Sequence, residues 1–343
     1  MTARHQEPGD IMQGIDRRKF ILGSMALGAA QGVRPCLARA AGSESAARYP
    51  SRPISIVLPG TPGSTGELTC RLLGNKLHEA WGQPVIVDFK PGASGMVAFS
   101  HVARAEPDGY TILLGYSQLV QGPALHKNLP YDVLTDFIPI RWLFDIPMVL
   151  VCSDPEVKSL GDYVQRARDV SRKYSYGSQG NGTTSHLHSA FFSKRTGIEP
   201  VHVPYKGTAQ LILDLISQRV SSAVIDLPAA LPNIREGKLR AYAITGKTRS
   251  PLVPDVPTFT ELGYPEIETP GWYGMFLPAG VDDAIVQKIR AGFEDAIQAP
   301  EVRERLSGLG LDLDAVPGDF STKLRSDIAY WKRAVDVTNV SLE

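Results

Sequence analysis

Short apolar runs alternate with amphipathic ones from Tyr49 onward. Ile54 to Leu58 is followed by Leu68, Leu72, Leu73 and Leu77 at helical spacing and then by Val85 to Phe89, the pattern of strand, helix, strand. Further strands are expected at Tyr110 to Leu114, Met148 to Cys152, Tyr174 to Gly177, Val201 to Val203, Ala223 to Ile225, Ala241 to Thr245 and Tyr273 to Leu277, with helical patterns between most of them. From Val281 the patterns are helical, including Ile285, Ile289 and Phe293 and then Phe320 to Trp331. This alternation predicts α/β layers with mostly parallel sheets, in which ligands bind beyond the carboxyl ends of strands. No linker rich in Ser and Gly separates two halves, so two domains here are joined by crossing strands. The candidates are Ile146 to Cys152 and Gly271 to Leu277. The plan is a hinged clamshell: residues 41–148 and 273–343 form a discontinuous first α/β domain, and 149–272 a second.

The length of 343 residues suits two domains. With 36 Lys+Arg against 36 Asp+Glu the chain has no formal net charge, which argues against a nucleic-acid partner. Residues 1–40 have the layout of an export signal: Asp16, Arg17, Arg18 and Lys19, an apolar run from Phe20 to Ala30, and a small-x-small site at Ala38-Arg39-Ala40. The run is too short to span a bilayer, and cleavage is expected near Ala40. The adjacent arginines before Lys19 and Phe20 resemble a twin-arginine signal. Asp16 and Leu22 depart from that pattern, which leaves the general secretory route open. Met12 is an alternative start. Removal of residues 1–40 leaves 30 basic and 33 acidic residues, a mildly acidic periplasmic protein. Cys36 would leave with the signal; Cys70 and Cys152 are expected to be buried thiols, with pairing in an oxidising compartment as the alternative.

The chemistry-bearing residues cluster where strands end. Pro59-Gly60-Thr61-Pro62-Gly63-Ser64-Thr65-Gly66-Glu67 follows the first strand and leads into a helix. Such a loop can cradle an anion with backbone N–H groups and the positive end of the helix dipole; it can equally be a Pro/Gly turn with a Ser/Thr cap. It lacks the Gly-Lys-Ser/Thr ending of a nucleotide P-loop. The device recurs at Pro91-Gly92-Ala93-Ser94-Gly95, at Gly115-Tyr116-Ser117-Gln118 and at Gly177-Ser178-Gln179-Gly180-Asn181-Gly182-Thr183-Thr184-Ser185-His186. The last nearly matches a dinucleotide fingerprint, but Ser185 stands at its third small position. His186 and His188 point to different sides of a helix, so a capping or core role is expected and no metal. No G-x-S-x-G elbow occurs, and Ser185 beside His186 makes no triad. In the loops at Val203-Pro204-Tyr205-Lys206-Gly207-Thr208 and Ile225-Asp226-Leu227-Pro228, Lys206 can meet an anion or stay solvated. Tyr205 can wall a pocket or pack, and Asp226 can accept from a ligand or cap a helix.

Taken together, Tyr49-Pro50-Ser51-Arg52-Pro53-Ile54, the loop from Pro59, Pro91-Gly92-Ala93, Pro107-Asp108-Gly109-Tyr110-Thr111, Leu129-Pro130-Tyr131-Asp132, Gly180-Asn181-Gly182, Thr184-Ser185-His186-Leu187, Val203-Pro204-Tyr205-Lys206-Gly207, Gly237-Lys238-Leu239-Arg240 and Pro254-Asp255-Val256-Pro257-Thr258 resemble the extracytoplasmic solute receptors of tripartite tricarboxylate transporters, the Bug family. The resemblance covers nearly all of residues 49–338. It implies a type II periplasmic binding protein that closes on a small di-, tri- or aromatic carboxylate and passes it to one large and one small integral membrane subunit. It implies no catalysis and no cofactor, and a monomer is expected. The alternative class is an α/β enzyme acting on a small carboxylic ester or acid, for which no nucleophile and base pair is recognisable. On this basis Thr61, Gly63, Ser64, Thr65, Ser94 and Ser117 are expected to hold a carboxylate from the first domain. Gly182, Thr183, Ser185, Tyr205 and Asp226 would close from the second. The chain departs from the family pattern at Gly60, where an aromatic is usual, and at Glu67, where Asp is usual. Tyr116 with Gln118 can refill the space left by the missing ring. The Asn that often follows the position of Asp226 is also missing.

Overall fold

The computed structural model describes residues 46–314, 319–340 and 342; the expected export signal and its cleavage site near Ala40 lie outside them. The strands form two five-stranded sheets. The first contains β1 (Ile54–Leu58), β2 (Val85–Phe89), β3 (Thr111–Tyr116), β4 (Phe137–Ile146) and, from far along the chain, β10 (Gly271–Pro278), in the order β2-β1-β3-β10-β4. The second contains β5 (Met148–Cys152), β6 (Ser175–Ser178), β7 (Val201–Pro204), β8 (Ser222–Asp226) and β9 (Arg240–Ile244), in the order β7-β6-β8-β5-β9.

Both sheets are mixed, which differs from the mostly parallel expectation. β1 runs parallel to β2 and β3, and β6 parallel to β7 and β8. β10 is antiparallel to β3 and β4, and β5 to β8 and β9. The reason is the chain crossing between the sheets. β4 ends at Ile146 in one sheet and β5 starts at Met148 in the other, so Pro147 alone separates them. The crossing therefore lies at strand ends, whereas the expected crossing strands β5 and β10 each pair within a single sheet.

Strand alternation feeds two helix layers per sheet. In β1 and β3, Ile56, Leu58, Ile112 and Leu114 join one core cluster while Val57 and Leu113 join another. The first cluster is closed by α1 (Thr65–Trp81) through Cys70, Leu73 and Leu77, by α8 (Asp283–Gln298) through Ile285, Ile289 and Phe293 and by α9 (Pro300–Ser307) through Val302 and Leu306. The spacing is the helical one. The second is closed by α2 (Met96–Ala103), α3 (Gln118–Leu125) and the long α10 (Phe320–Thr338). The second sheet alternates likewise: Val149, Val151, Ala223 and Ile225 pack on α6 (Thr208–Ile216) and α7 (Leu227–Arg235). Leu150 and Val224 face α4 (Leu160–Arg168) and α5 (Thr184–Thr196).

The cluster containing α10 is continuous across both sheets, from Val57 and Phe99 to Leu187 and Phe192, because α10 packs on α3 and on α5. Its Trp331 is 1% exposed and stacks on His188 of α5 at 5.2 Å. Full burial of such a ring contributes about 1.5–3 kcal/mol or more. α10 also buries charge at the crossing: Asp327 takes bonds from Lys323 Nζ at 2.6 Å and from Trp272 Nε1 at 2.8 Å. Beside them burial pushes the Asp145 carboxyl of β4 up to about 6.

Candidate functional site

The parallel strands of each sheet end toward the other sheet, and their loops meet. The head of α1 is built by a local rule: Ser64 is the N-cap, its hydroxyl accepting from Glu67 N at 3.3 Å. Glu67 turns back to accept from Gly63 N at 2.7 Å, a variant of the capping box in which the carboxylate reaches one residue further. That N–H bond, followed by Arg71, holds Glu67 below the usual carboxylate range. Thr61 Oγ1 lies 3.5 Å from where a Cβ on Gly207 of the opposite sheet's β7–α6 loop would stand.

After β2 the chain makes a left-handed turn through Gly92, Ala93, Ser94 and Gly95, with φ of 129°, 45°, 54° and 93°. Positive φ at Ala93 and Ser94 is costly for residues with a Cβ. It aims the Ser94 hydroxyl at the carbonyl of Asn181, across the gap, to which it donates. After β3, Ser117 Oγ lies 2.9 Å from Thr184 Oγ1, and Gln121 Nε2 donates to the same hydroxyl at 2.8 Å. These three groups lie in residues 3%, 3% and 0% exposed. Behind them, Ser117 Oγ is 3.6 Å from the Cβ position of Gly271, where the chain re-enters the first sheet. The floor of the gap is therefore polar and lies at the crossing.

On the second-sheet side, Gln179 Nε2 donates to Thr208 Oγ1 at 2.5 Å and to Asp226 Oδ1. Burial raises the Asp226 carboxyl above its ordinary value. The loop between β6 and α5 is held by Thr183, whose Oγ1 donates to Gly180 O at 2.8 Å and caps His186 N at 3.4 Å. Gly182 N donates to His186 Nδ1 at 3.0 Å. The His186 ring stacks on His202 at 3.9 Å and 4°. Burial first, and then His202, brings His186 down to about 4, so the column is neutral and Nδ1 is free to accept.

The expected residues divide by the direction of their side chains. Thr61, Ser64, Ser94 and Ser117 meet groups of the opposite loops or stand at the head of α1. Thr65 opens α1, and Asp226 closes the far side through Gln179. Gly63 is exposed, and its N–H is taken by Glu67. Ser185 is fully buried and donates to Val224 O within the second sheet. Tyr205 turns under its own helix and donates to Asp214 Oδ2 at 2.9 Å. Gly182 and Thr183 shape the loop, and a Cβ on Gly182 would meet Leu125 at 2.8 Å. Lys206 is exposed. The sequence reading passed over Thr184, Gln121, Gln179 and Thr208. Thr184, Gln179 and Thr208 lay inside loops already singled out, and Gln121 carried no local signal. His186 and His188 take capping and core places as expected, and among the described residues no group of three His, Cys, Asp or Glu could hold a metal ion.

The groups that meet are hydroxyls, carboxamides and backbone atoms, suited to holding a small polar anion by hydrogen bonds. The family profile described as "Tripartite tricarboxylate transporter family receptor" matches residues 69–337. The chain is 33% identical over 304 residues to Protein BugT of Bordetella pertussis, covering 87% of this chain and 93% of that one. A protein of R. palustris solved with adipate superposes with a TM-score of 0.79 at 31% identity, over 85% of this chain and 99% of that one. MatC of Rhodopseudomonas palustris, solved with bound malate, gives a TM-score of 0.78 at 29% identity, over 84% and 100%.

Proposed function

The chain belongs to the tripartite tricarboxylate transporter receptor family, a family of solute-binding receptors and not of enzymes, and on that premise we propose that it captures a small carboxylate in the periplasm and delivers it to a tripartite transporter. The lobes would be residues 41–148 with 273–343, and residues 149–272, hinged where Pro147 separates β4 from β5. In this reading Thr61, Ser64, Thr65, Ser94 and Ser117 face the ligand from one side, and Asp226 with the Gly180–Thr183 loop from the other. The membrane partners would be one large and one small integral subunit, and export would use the N-terminal signal.

The observation that carries the reading is the meeting of loop ends from both sheets through neutral donors and acceptors: Ser94 with Asn181, and Ser117 and Gln121 with Thr184. Adipate and malate in the two structural relatives support the carboxylate class. The test is thermal unfolding of residues 41–343 against di-, tri- and aromatic carboxylates, with sugars, amines and nucleotides as controls. A ligand at 100 times its Kd adds about 2.7 kcal/mol, a shift of several degrees. Shifts by carboxylates alone, with the acid recovered unchanged after denaturation, are expected. A shift by nucleotides, or consumption of the added acid, would overturn the proposal.

A further inference from the structure

After its last helix the chain returns to the cleft. α10 is stopped by Asn339, which takes the left-handed conformation at φ 54° and donates its N–H to Val335 O. Beyond it, Val340 and Leu342 pack on the core cluster that α10 shares with α3 and α5. The Leu342 side chain ends against Gly182, in the loop between β6 and α5. A Cβ on Gly182 would lie 2.8 Å from Leu125 Cδ1 of α3, and closer still to Leu342 Cδ1. Ser94 and Gln118 line the same space.

Position 182 therefore has no room for a side chain, and the two leucines pack on its bare α-carbon. The loop they meet is the one that Ser94 reaches across the gap, donating to the Asn181 carbonyl. We propose that Leu342 is a latch for this cleft: it holds the Gly180–Thr183 loop in the closed position by apolar contact between the lobes, and so slows the escape of a bound carboxylate. The inference rests on the receptor reading above and deepens it by naming a positioning residue for that site.

Two further observations fit. Leu342 lies past the C-cap of α10, so it can leave Gly182 without breaking a turn of the helix. The loop from Gln179 to Thr183 carries no apolar side chain of its own, so apolar contact with it has to come from outside. Leu342 is half-buried with the loops together. When the loops part, its contact with Gly182 is lost, so the burial it gains there stabilises the closed state alone.

The experiment compares the full mature chain with Leu342→Ala by isothermal titration and stopped-flow release, with malate, adipate and citrate as probes. Cutting a half-buried leucine back to its Cβ should raise Kd about three- to tenfold for whichever probe wild type binds most tightly, nearly all of it in the release rate. The unfolding midpoint without added acid should stay within about a degree of wild type, because the contact belongs to the closed state. Leu342→Met, which keeps the length and the apolar surface, should return Kd to within about twofold. A leucine that merely packs on the core would lower the midpoint without acid and leave Kd and the release rate within twofold, which would overturn the inference alone. A wild-type protein that binds none of the three would overturn the receptor reading and the inference with it.

Discussion

Thr184 joins the two halves of the cleft floor, and its replacement by Val tests how much that junction contributes. The two side chains have nearly the same shape, so the change removes one hydroxyl and little packing. Ser117 Oγ and Gln121 Nε2 then lose the partner they share. Both belong to buried residues, so water cannot readily replace it, and Gln121 Oε1 is already unpaired. Each stranded buried polar group costs about 1–3 kcal/mol, which places Thr184→Val about 2–6 kcal/mol below wild type. Replacing all partners with apolar groups is close to neutral, so Thr184→Val with Gln121→Leu and Ser117→Ala should recover most of the loss. Urea unfolding followed by tryptophan fluorescence reads both values, with an unchanged m confirming that the fold is retained. A Thr184→Val protein within about 0.5 kcal/mol of wild type would refute the reasoning. So would a triple variant that loses the sum of its parts.

Other consequences can be checked in the same way. His186 is near 4 in the fold against an ordinary value of 6.5; the unfolded chain therefore takes up the proton first, and stability should fall as pH drops from about 6.5 to 4, by roughly 3 kcal/mol, and stay level above 7. His186→Asn, which keeps an acceptor for Gly182 N–H, should remove that share of the slope in acid denaturation curves, while buried His188, brought down to about 3, keeps its own. Gly60→Ala should cost about 1–2 kcal/mol by overpacking against Tyr116, and most of that cost should disappear in Tyr116→Phe, read by thermal unfolding as a double-mutant cycle. Cys70 and Cys152 are free and buried, with burial raising both thiols, Cys152 to about 11. A thiol reagent at pH 8 should leave both unlabelled in the folded protein and label both in denaturant.

The sequence made some elements plain and hid others for physical reasons. β1, β2 and β5 coincide with their apolar runs because each is short, β-branched and bounded by Pro, Gly or a helix pattern. β4 was missed because Pro139, Arg141 and Asp145 interrupt it. Arg141 bonds Glu294 of α8, 153 residues away, and Asp145 lies beside Lys323 and Asp327 of α10. Partners so distant leave no trace in a local pattern. The antiparallel pairing of β10 with β3 was hidden for the same reason.

In the site, the loops were legible because strand ends with Gly, Pro, Ser and Thr announce themselves. The directions of single side chains were not. Ser185 follows Thr184 by one residue on α5, a turn of about 100°, which sends one hydroxyl to Val224 and the other to the cleft floor. Tyr205 is claimed by Asp214, nearly two helix turns into α6. Gly60 and Tyr116 are separated by 56 positions, and the departure from the family pattern at Gly60 pointed to the ring that fills its space.

The most direct test of a carboxylate-binding cleft at the head of α1 is isothermal titration of wild type and Ser64→Trp with the acid that gives the largest thermal shift. An indole at position 64 would crowd the head of α1 and the loops that face it while leaving the cores of both sheets untouched. Binding by wild type and none by Ser64→Trp, with the same far-ultraviolet circular dichroism, is the predicted result. Equal affinity in a folded Ser64→Trp protein would contradict the account.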